Sequence, residues 1–356
     1  MVLRPALSRP RLHAHLQRLL PRCYATVEPV TLLGKAPEPP QHATSSPLRP
    51  PSALDALILS ELRSSSGASL PGIVENYNDR AGHVLETSLP YEPRPNATRR
   101  VTFNDSDGVV MVAHAIRHGD EHKVALCTGF ALNLNSGGPS GENENTVILS
   151  CAHTIEEMRN SRLFASLPVP PHTKIHNGSA SVSGSFVMTS SFGNETSMFH
   201  PVQNVFSSLH RSDLVLLSTN SKLSTRPLPV SPYPAQPGAA VRAHVVVQKE
   251  PEEGGWSPWI GGTWSKWVRG TVLGYRDFAG REAQPGTYDG LNHMLFKPLP
   301  TPGSSGGPIV DEESGAVVGV MLGTRMDNAI EGLRGWGVPS ETIFEMFGLP
   351  GLKLKR

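Results

Sequence analysis

The chain has little cysteine: Cys23, Cys127 and Cys151 are the only three in 356 residues. Three thiols cannot build the disulfide framework on which small secreted domains depend. It also lacks any uninterrupted run of 18 apolar residues, so the sequence predicts no transmembrane segment. Apolar residues make up only 38% of the chain, which does not favour a helix bundle. Acidic residues are missing from positions 1–27, where Arg4, Arg9, Arg11, Arg18 and Arg22 stand alone. Those five arginines exceed the formal net charge of +1, leaving about −4 for everything after them. A body of that sign lacks the basic patch of a nucleic-acid binder, so no nucleic-acid partner is expected. No internal repeat is visible.

Glycine and proline are abundant instead, 34 and 33 of them, which favours short strands and long loops. Residues 1–24 are rich in Arg and Leu but have no apolar h-region, so they do not read as a secretory signal. They resemble a mitochondrial presequence, and Arg22-Cys23-Tyr24-Ala25 is similar to the matrix processing pattern, with a mature N-terminus at Ala25. That implies a mitochondrial address, most simply on the matrix side, with the cytoplasm as the alternative. Residues 25–100 form a Pro/Ser-rich stretch such as A-P-E-P-P and S-P-L-R-P-P, read as a linker. Within it, Ser52 and Asp55 suggest a capping box, and Leu54, Leu57, Ile58 and Leu62 follow at helical spacing, predicting a short amphipathic helix over 52–63 that docks on the domain.

From Val101 the texture changes to short β-rich runs: V-V-M-V-A-H-A-I, K-V-A-L-C-T-G-F-A-L, N-T-V-I-L-S-C, D-L-V-L-L, A-A-V-R-A-H-V-V-V, W-V-R-G-T-V-L-G-Y and A-V-V-G-V-M-L-G. Many short strands broken by Gly and Pro predict an all-β barrel or sandwich. One helix is predicted near the end, Ser340–Phe347, with Ser340 as its cap.

Chemistry concentrates in Gly303-Ser304-Ser305-Gly306-Gly307-Pro308. Glycines around a serine permit a tight turn that presents its hydroxyl, and the N–H groups of Gly303 and Ser305 can converge on a developing oxyanion. A serine hydroxyl needs a base to remove its proton. In V-I-L-S-C-A-H-T-I, His153 follows an apolar strand. A third group must orient the imidazole, and in H-R-S-D-L-V-L-L Asp213 directly precedes another. The bland readings are a Ser/Gly-rich loop, a turn histidine and a strand-edge acid. Three independent pieces in the order His, Asp, Ser weigh against coincidence.

The segment from about Val101 to Leu349 resembles the trypsin-like (chymotrypsin-fold) serine proteases. S-C-A-H is similar to the family's T-A-A-H, S-D-L-V-L-L to D-I-A-L-L, and G-S-S-G-G-P to G-D-S-G-G-P. It is more similar still to the intracellular high-temperature-requirement branch, in P-G-S-S-G-G-P, G-W-G-V-P-S and C-T-G-F-A-L. The resemblance implies two six-stranded antiparallel β-barrels over 101–349, with a short C-terminal helix and a cleft between the barrels. It implies a serine endopeptidase with Ser305 as nucleophile, His153 as base, Asp213 as its orienter and polypeptides as substrates. Neither metal nor organic cofactor is required. The primary pocket would be floored by Leu299, favouring a small or apolar P1 residue, and Met321 and Gly323 would offer main-chain hydrogen bonds to substrate.

Departures from the family matter. Ser304 stands where secreted trypsins carry an Asp, so zymogen activation of their kind is not expected. Only about 50 residues follow Ser305, too few for a PDZ module. A Ser/Gly/Asn-rich stretch between Asn160 and His210 reads as an insertion that shapes or covers the cleft. The alternative is a catalytically silent protease fold that binds peptides or a partner. His114, His118, His122 and Asp120 read as a polar hairpin turn rather than a metal site, and Trp256, Trp259, Trp264 and Trp267 as a packed aromatic loop. Cys127 and Cys151 fall on neighbouring strands, either as buried thiols or as a pair.

Overall fold

The computed structural model describes residues 52–349 apart from 65–66, 105, 135–146, 168–180, 192–193, 220–222, 224 and 328–330. The first barrel comprises β1 (Val109–His118), β2 (Glu121–Leu132), β3 (Val147–Cys151), β4 (Ser181–Ser191), β5 (Asn194–Leu209) and β6 (Leu214–Thr219). They close in the order β1-β2-β3-β6-β5-β4, every pair antiparallel. β1 and β2 meet at a two-residue turn, His118 opposite Glu121, with Gly119 at φ 59. Such turns need a positive φ, which glycine supplies at no steric cost. The polar hairpin read around Asp120 is thus present; within it His118 Nδ1 meets Ser181 Oγ at 2.6 Å, while His114 is buried in β1 against Ser185 Oγ at 2.7 Å.

The second barrel contains β7 (Ala240–Val247), β8 (Ser257–Pro258), β9 (Trp264–Arg276), β10 (Glu282–Ala283), β11 (His293–Lys297), β12 (Pro308–Asp311), β13 (Val317–Met326) and β14 (Leu333–Pro339). Six of them close as β7-β9-β11-β14-β13-β12, while the two-residue β8 and β10 hang on β9. The expected pair of six-stranded barrels is the architecture found. Closure removes the free sheet edges that would otherwise template aggregation.

Uniform burial explains the near-continuous apolar runs. All residues of β3 and β6 are buried, because the barrel interior takes one face and outer layers cover the other. The stretch read as linker covers other staves of the same barrel, β1, β4 and β5. α1 (Ala53–Ser64) begins with the expected reciprocal cap, Asp55 N–H to Ser52 Oγ and Ser52 N–H to Asp55 Oδ2. It buries Leu54, Ile58, Leu59 and Leu62 in the larger core. α2 (Leu70–Asp79), which the sequence reading passed over, buries Leu70, Ile73, Val74 and Tyr77 against the first barrel. The described residues of 52–100 are therefore packed structure rather than linker, since two amphipathic faces find apolar surface on the barrel.

A second correction concerns 160–210. Its described residues supply α4 (Arg162–Ala165) and the strands β4 and β5, two staves of the first barrel rather than an addition to it. Near the C-terminus α5 spans Glu341–Phe344, shorter than expected, and Ser340 does not cap it. The Ser340 hydroxyl donates instead to the Ser231 carbonyl at 2.7 Å. The tryptophan-rich region packs as read: Trp259 and Trp267 are buried edge-on around His244, with ring centroids 5.1 and 5.0 Å away. No described helix is long and apolar enough to cross a membrane.

Candidate active site

β3 ends at Cys151, and α3 (His153–Arg159) starts two residues later, so the imidazole sits at the rim of the first barrel. Asp213 occupies the junction between a 3-10 turn at His210–Ser212 and β6. It is the only described non-glycine residue with positive φ, at φ 55 and ψ 38. That region costs most side chains energy but is tolerated by Asp, and such strain clusters at functional sites. The geometry lets one carboxylate serve two groups. Oδ1 accepts the N–H groups of Ala152 at 3.0 Å and His153 at 2.6 Å, and Oδ2 accepts a hydrogen bond from His153 Nδ1–H at 2.6 Å. Backbone and ring of His153 are thus fixed together.

Burial alone would lower the His153 pKa, but the hydrogen bond and charge of Asp213 outweigh it and hold it above the ordinary value of 6.5. With Nδ1 committed as donor, Nε2 is left as the basic nitrogen. It faces Cys151 Sγ at 3.6 Å. Cys127 and Cys151 are free, buried thiols in this structure. Burial pushes the Cys151 thiol up, while the Cys151 hydrogen bond, ahead of burial's opposing effect, brings Cys127 down to about 7.

The serine loop joins β11 to β12 and is pinned to the first barrel. The Thr128 N–H donates to Ser305 O at 2.8 Å and Thr128 Oγ1 to Gly303 O at 2.8 Å. Gly306, at φ 82, lies so close to Thr128 O, Cys151 N and Ser150 Oγ that a Cβ would overlap all three. That close approach seats Ser305 against the strand end carrying His153.

Along the loop, the N–H of Ser304 goes to Thr301 O, that of Gly306 to Met321 O and that of Gly307 to Ser304 O. Among the described residues, nothing accepts from the N–H groups of Gly303 and Ser305, the two expected of an oxyanion hole. Ser304 is fully buried, its Oγ accepting the Val246 N–H at 2.9 Å and touching Thr301 Oγ1 at 2.6 Å. Ser305 Oγ donates to Leu322 O at 2.9 Å and makes no hydrogen bond to His153 in this conformation.

One substrate-binding expectation needs correction. Met321 is buried, with its N–H given to Gly307 O and its carbonyl taken by Gly306 N–H, so its main chain is not free for substrate. The register of β13 on β14 shifts between Met321 and Gly323, and the Leu322 carbonyl there meets the Ser305 hydroxyl. Leu299 is 45% exposed.

A sequence profile of the trypsin-like peptidase domain matches residues 127–320, more than half of the chain. The chain belongs to that family. Solved structures similar to it include Deg5, at 15% identity over 67% of this chain and 87% of that one, with a TM-score of 0.41. The MamO protease domain from Magnetospirillum magneticum is 14% identical over 65% and 93%, with a TM-score of 0.36. The active form of the Rv3671c protease from M. tuberculosis is 19% identical over 71% and 86%, with a TM-score of 0.36. No match was found among curated proteins. As a trypsin-like peptidase the chain is a protease acting on polypeptides, and the matched span contains His153, Asp213 and Ser305.

Proposed function

We propose that this trypsin-like peptidase is a serine endopeptidase in which Ser305 attacks the scissile carbonyl, His153 Nε2 takes the proton and returns it to the leaving amine, and Asp213 fixes the tautomer. The N–H groups of Gly303 and Ser305 stabilise the tetrahedral oxyanion. The observation that carries this reading is the 2.6 Å Asp213–His153 bond, set beside a serine turn in which the N–H groups of Gly303 and of Ser305 itself meet no acceptor among the described residues. The exposed apolar wall at Leu299 favours small or apolar P1 residues.

The parked Ser305 hydroxyl also favours the second reading, a silent protease fold that binds peptides. A fluorophosphonate probe separates the two: an activated serine is labelled, a scaffold is not. Ser305→Ala is expected to abolish labelling and hydrolysis while leaving the fold intact. Ser304→Ala should keep labelling but destabilise, by about 1–3 kcal/mol, because it strips the buried Val246 N–H of its acceptor. Equal loss of labelling in both would sink the assignment.

We also propose a mitochondrial address from residues 1–24, which lie outside the described residues. Their five arginines, absent acids and missing h-region support it. Fractionation with N-terminal sequencing is expected to find organellar protein starting at Ala25. Uncut Met1 in the cytosol, or secreted protein glycosylated at a sequon such as Asn96, would overturn it.

A further inference from the structure

β13 has one covered side and one side that is open beside the nucleophile. β14 pairs with it as far as Met326, opposite Leu333. On the other side β12 reaches only Val320, opposite Pro308, and the serine loop then occupies Met321. From Leu322 to Met326 that second side has no strand partner among the described residues. An extended peptide added there antiparallel would run from Met326 toward Leu322 and deliver its scissile bond to Ser305. Both chains advance by about 3.4 Å per residue, so with P1 beside Leu322, Arg325 stands near P4 and its long side chain reaches P3 to P5.

Arg325 is exposed and held in place. Its guanidinium lies 4.2 Å from the centre of the Trp336 ring, and His293 stacks on that ring at 4.1 Å. A stacked guanidinium keeps all its N–H donors and has less freedom to lose when it binds a carboxylate. Neighbouring cations are already satisfied. Arg276 holds Asp327 at 2.9 Å and Glu282 at 3.3 Å, while Arg334 pairs with Asp327 at 3.4 Å and with Glu331. No described carboxylate pairs with Arg325. Gly323, between Arg325 and the nucleophile, has no atom within 4 Å of where a Cβ would stand, so the approach is open.

We propose that Arg325 is a specificity residue that selects an Asp or Glu side chain three to five residues before the scissile bond. The inference rests on the peptidase reading, but its binding half can be tested without catalysis. A fluorescein-labelled peptide with an apolar P1 and Glu at P4 would be compared with its Gln analogue, by hydrolysis with the full chain and by anisotropy with its Ser305→Ala variant. The Glu peptide is expected to be cleaved with about three- to tenfold higher kcat/KM and bound correspondingly tighter, with a preference that fades as salt rises. Arg325→Gln should erase the preference, and Arg325→Glu should transfer it to a Lys peptide. Equal handling of Glu and Gln by a labelled enzyme, or a preference that survives Arg325→Gln, overturns the inference alone. Failure of probe labelling with an Arg325-dependent Glu preference in anisotropy overturns hydrolysis and sustains the subsite. Absence of both labelling and preference overturns both.

Discussion

At the scale of single residues, Asp213 decides how the site titrates. It holds His153 in one tautomer and raises its pKa against the opposing pull of burial. A protonated imidazole cannot accept the Ser305 proton, so kcat/KM is expected to fall as pH drops through the His153 pKa, with that limb above the ordinary value near 6.5. The stability contribution runs the other way. Because the folded pKa is raised, the ion pair's stabilisation is complete below the unfolded pKa and is lost as pH rises through the folded one. Asp213→Asn removes the hydrogen bond to the charge while burial remains, so the acidic limb should move to lower pH and kcat should fall by about four orders of magnitude. A limb that stayed in place in the variant's pH–rate profile would show that Asp213 does not govern the base. The same carboxylate satisfies two backbone N–H groups, so Asn, which keeps one acceptor oxygen, is a gentler probe than Ala.

At the scale of elements, the strands were readable because most are apolar runs bounded by Gly, Pro or charged turns, and their barrel closure followed from the resemblance. What escaped the sequence has physical reasons. α2 carries Leu70, Ile73, Val74 and Tyr77 at helical spacing, but Pro71 and Gly72 mask it. At a helix start the missing N–H of proline costs nothing, and Ser69 caps Gly72 N–H at 3.5 Å. β4 and β5 hid because serines alternate with apolar residues there, as in S-V-S-G-S-F-V-M, and a half-polar strand lacks the apolar density of β3. The stretch of β13 with an uncommitted main chain was expected one residue early, since the shift between Met321 and Gly323 is a property of pairing with β14 and leaves no mark in composition. As candidates, His153, Asp213, Ser305 and Gly303 were legible because each sits at the end of an apolar run or in a glycine turn. Arg325 was not, for an arginine on a strand looks like any solvated charge until its ring partner and the missing carboxylate are seen.

At the scale of the whole molecule, the two barrels share a core that the N-terminal helices help to close. α1 contributes Leu54, Ile58, Leu59 and Leu62 to the cluster that also holds Val310, Val320 and Val338 of the second barrel. α2 covers the first barrel with Leu70, Ile73, Val74 and Tyr77. Each such side chain stabilises by about 1.5–3 kcal/mol when fully buried, so the eight together reach a size comparable with the net stability of a typical domain, roughly 5–15 kcal/mol. Hydrogen bonds tie the same segment down: Ser208 Oγ donates to Tyr77 O at 2.7 Å, and Ser207 Oγ to His83 O. Tyr77 stacks on His210 at 4.2 Å, three residues before Asp213. A chain starting at Ser52 is therefore expected to unfold cooperatively and to be labelled by the fluorophosphonate probe. One starting at Ala81 should aggregate or show no cooperative thermal transition, because it would expose apolar surface on β1, β4 and β5, and β5 leads directly into the His210–Ser212 turn that carries Asp213. Thermal denaturation and labelling of the two chains side by side check this. A chain from Ala81 that melted sharply and labelled normally would mean that the helices are an appendage, and that residues 52–80 behave as the linker their composition suggested.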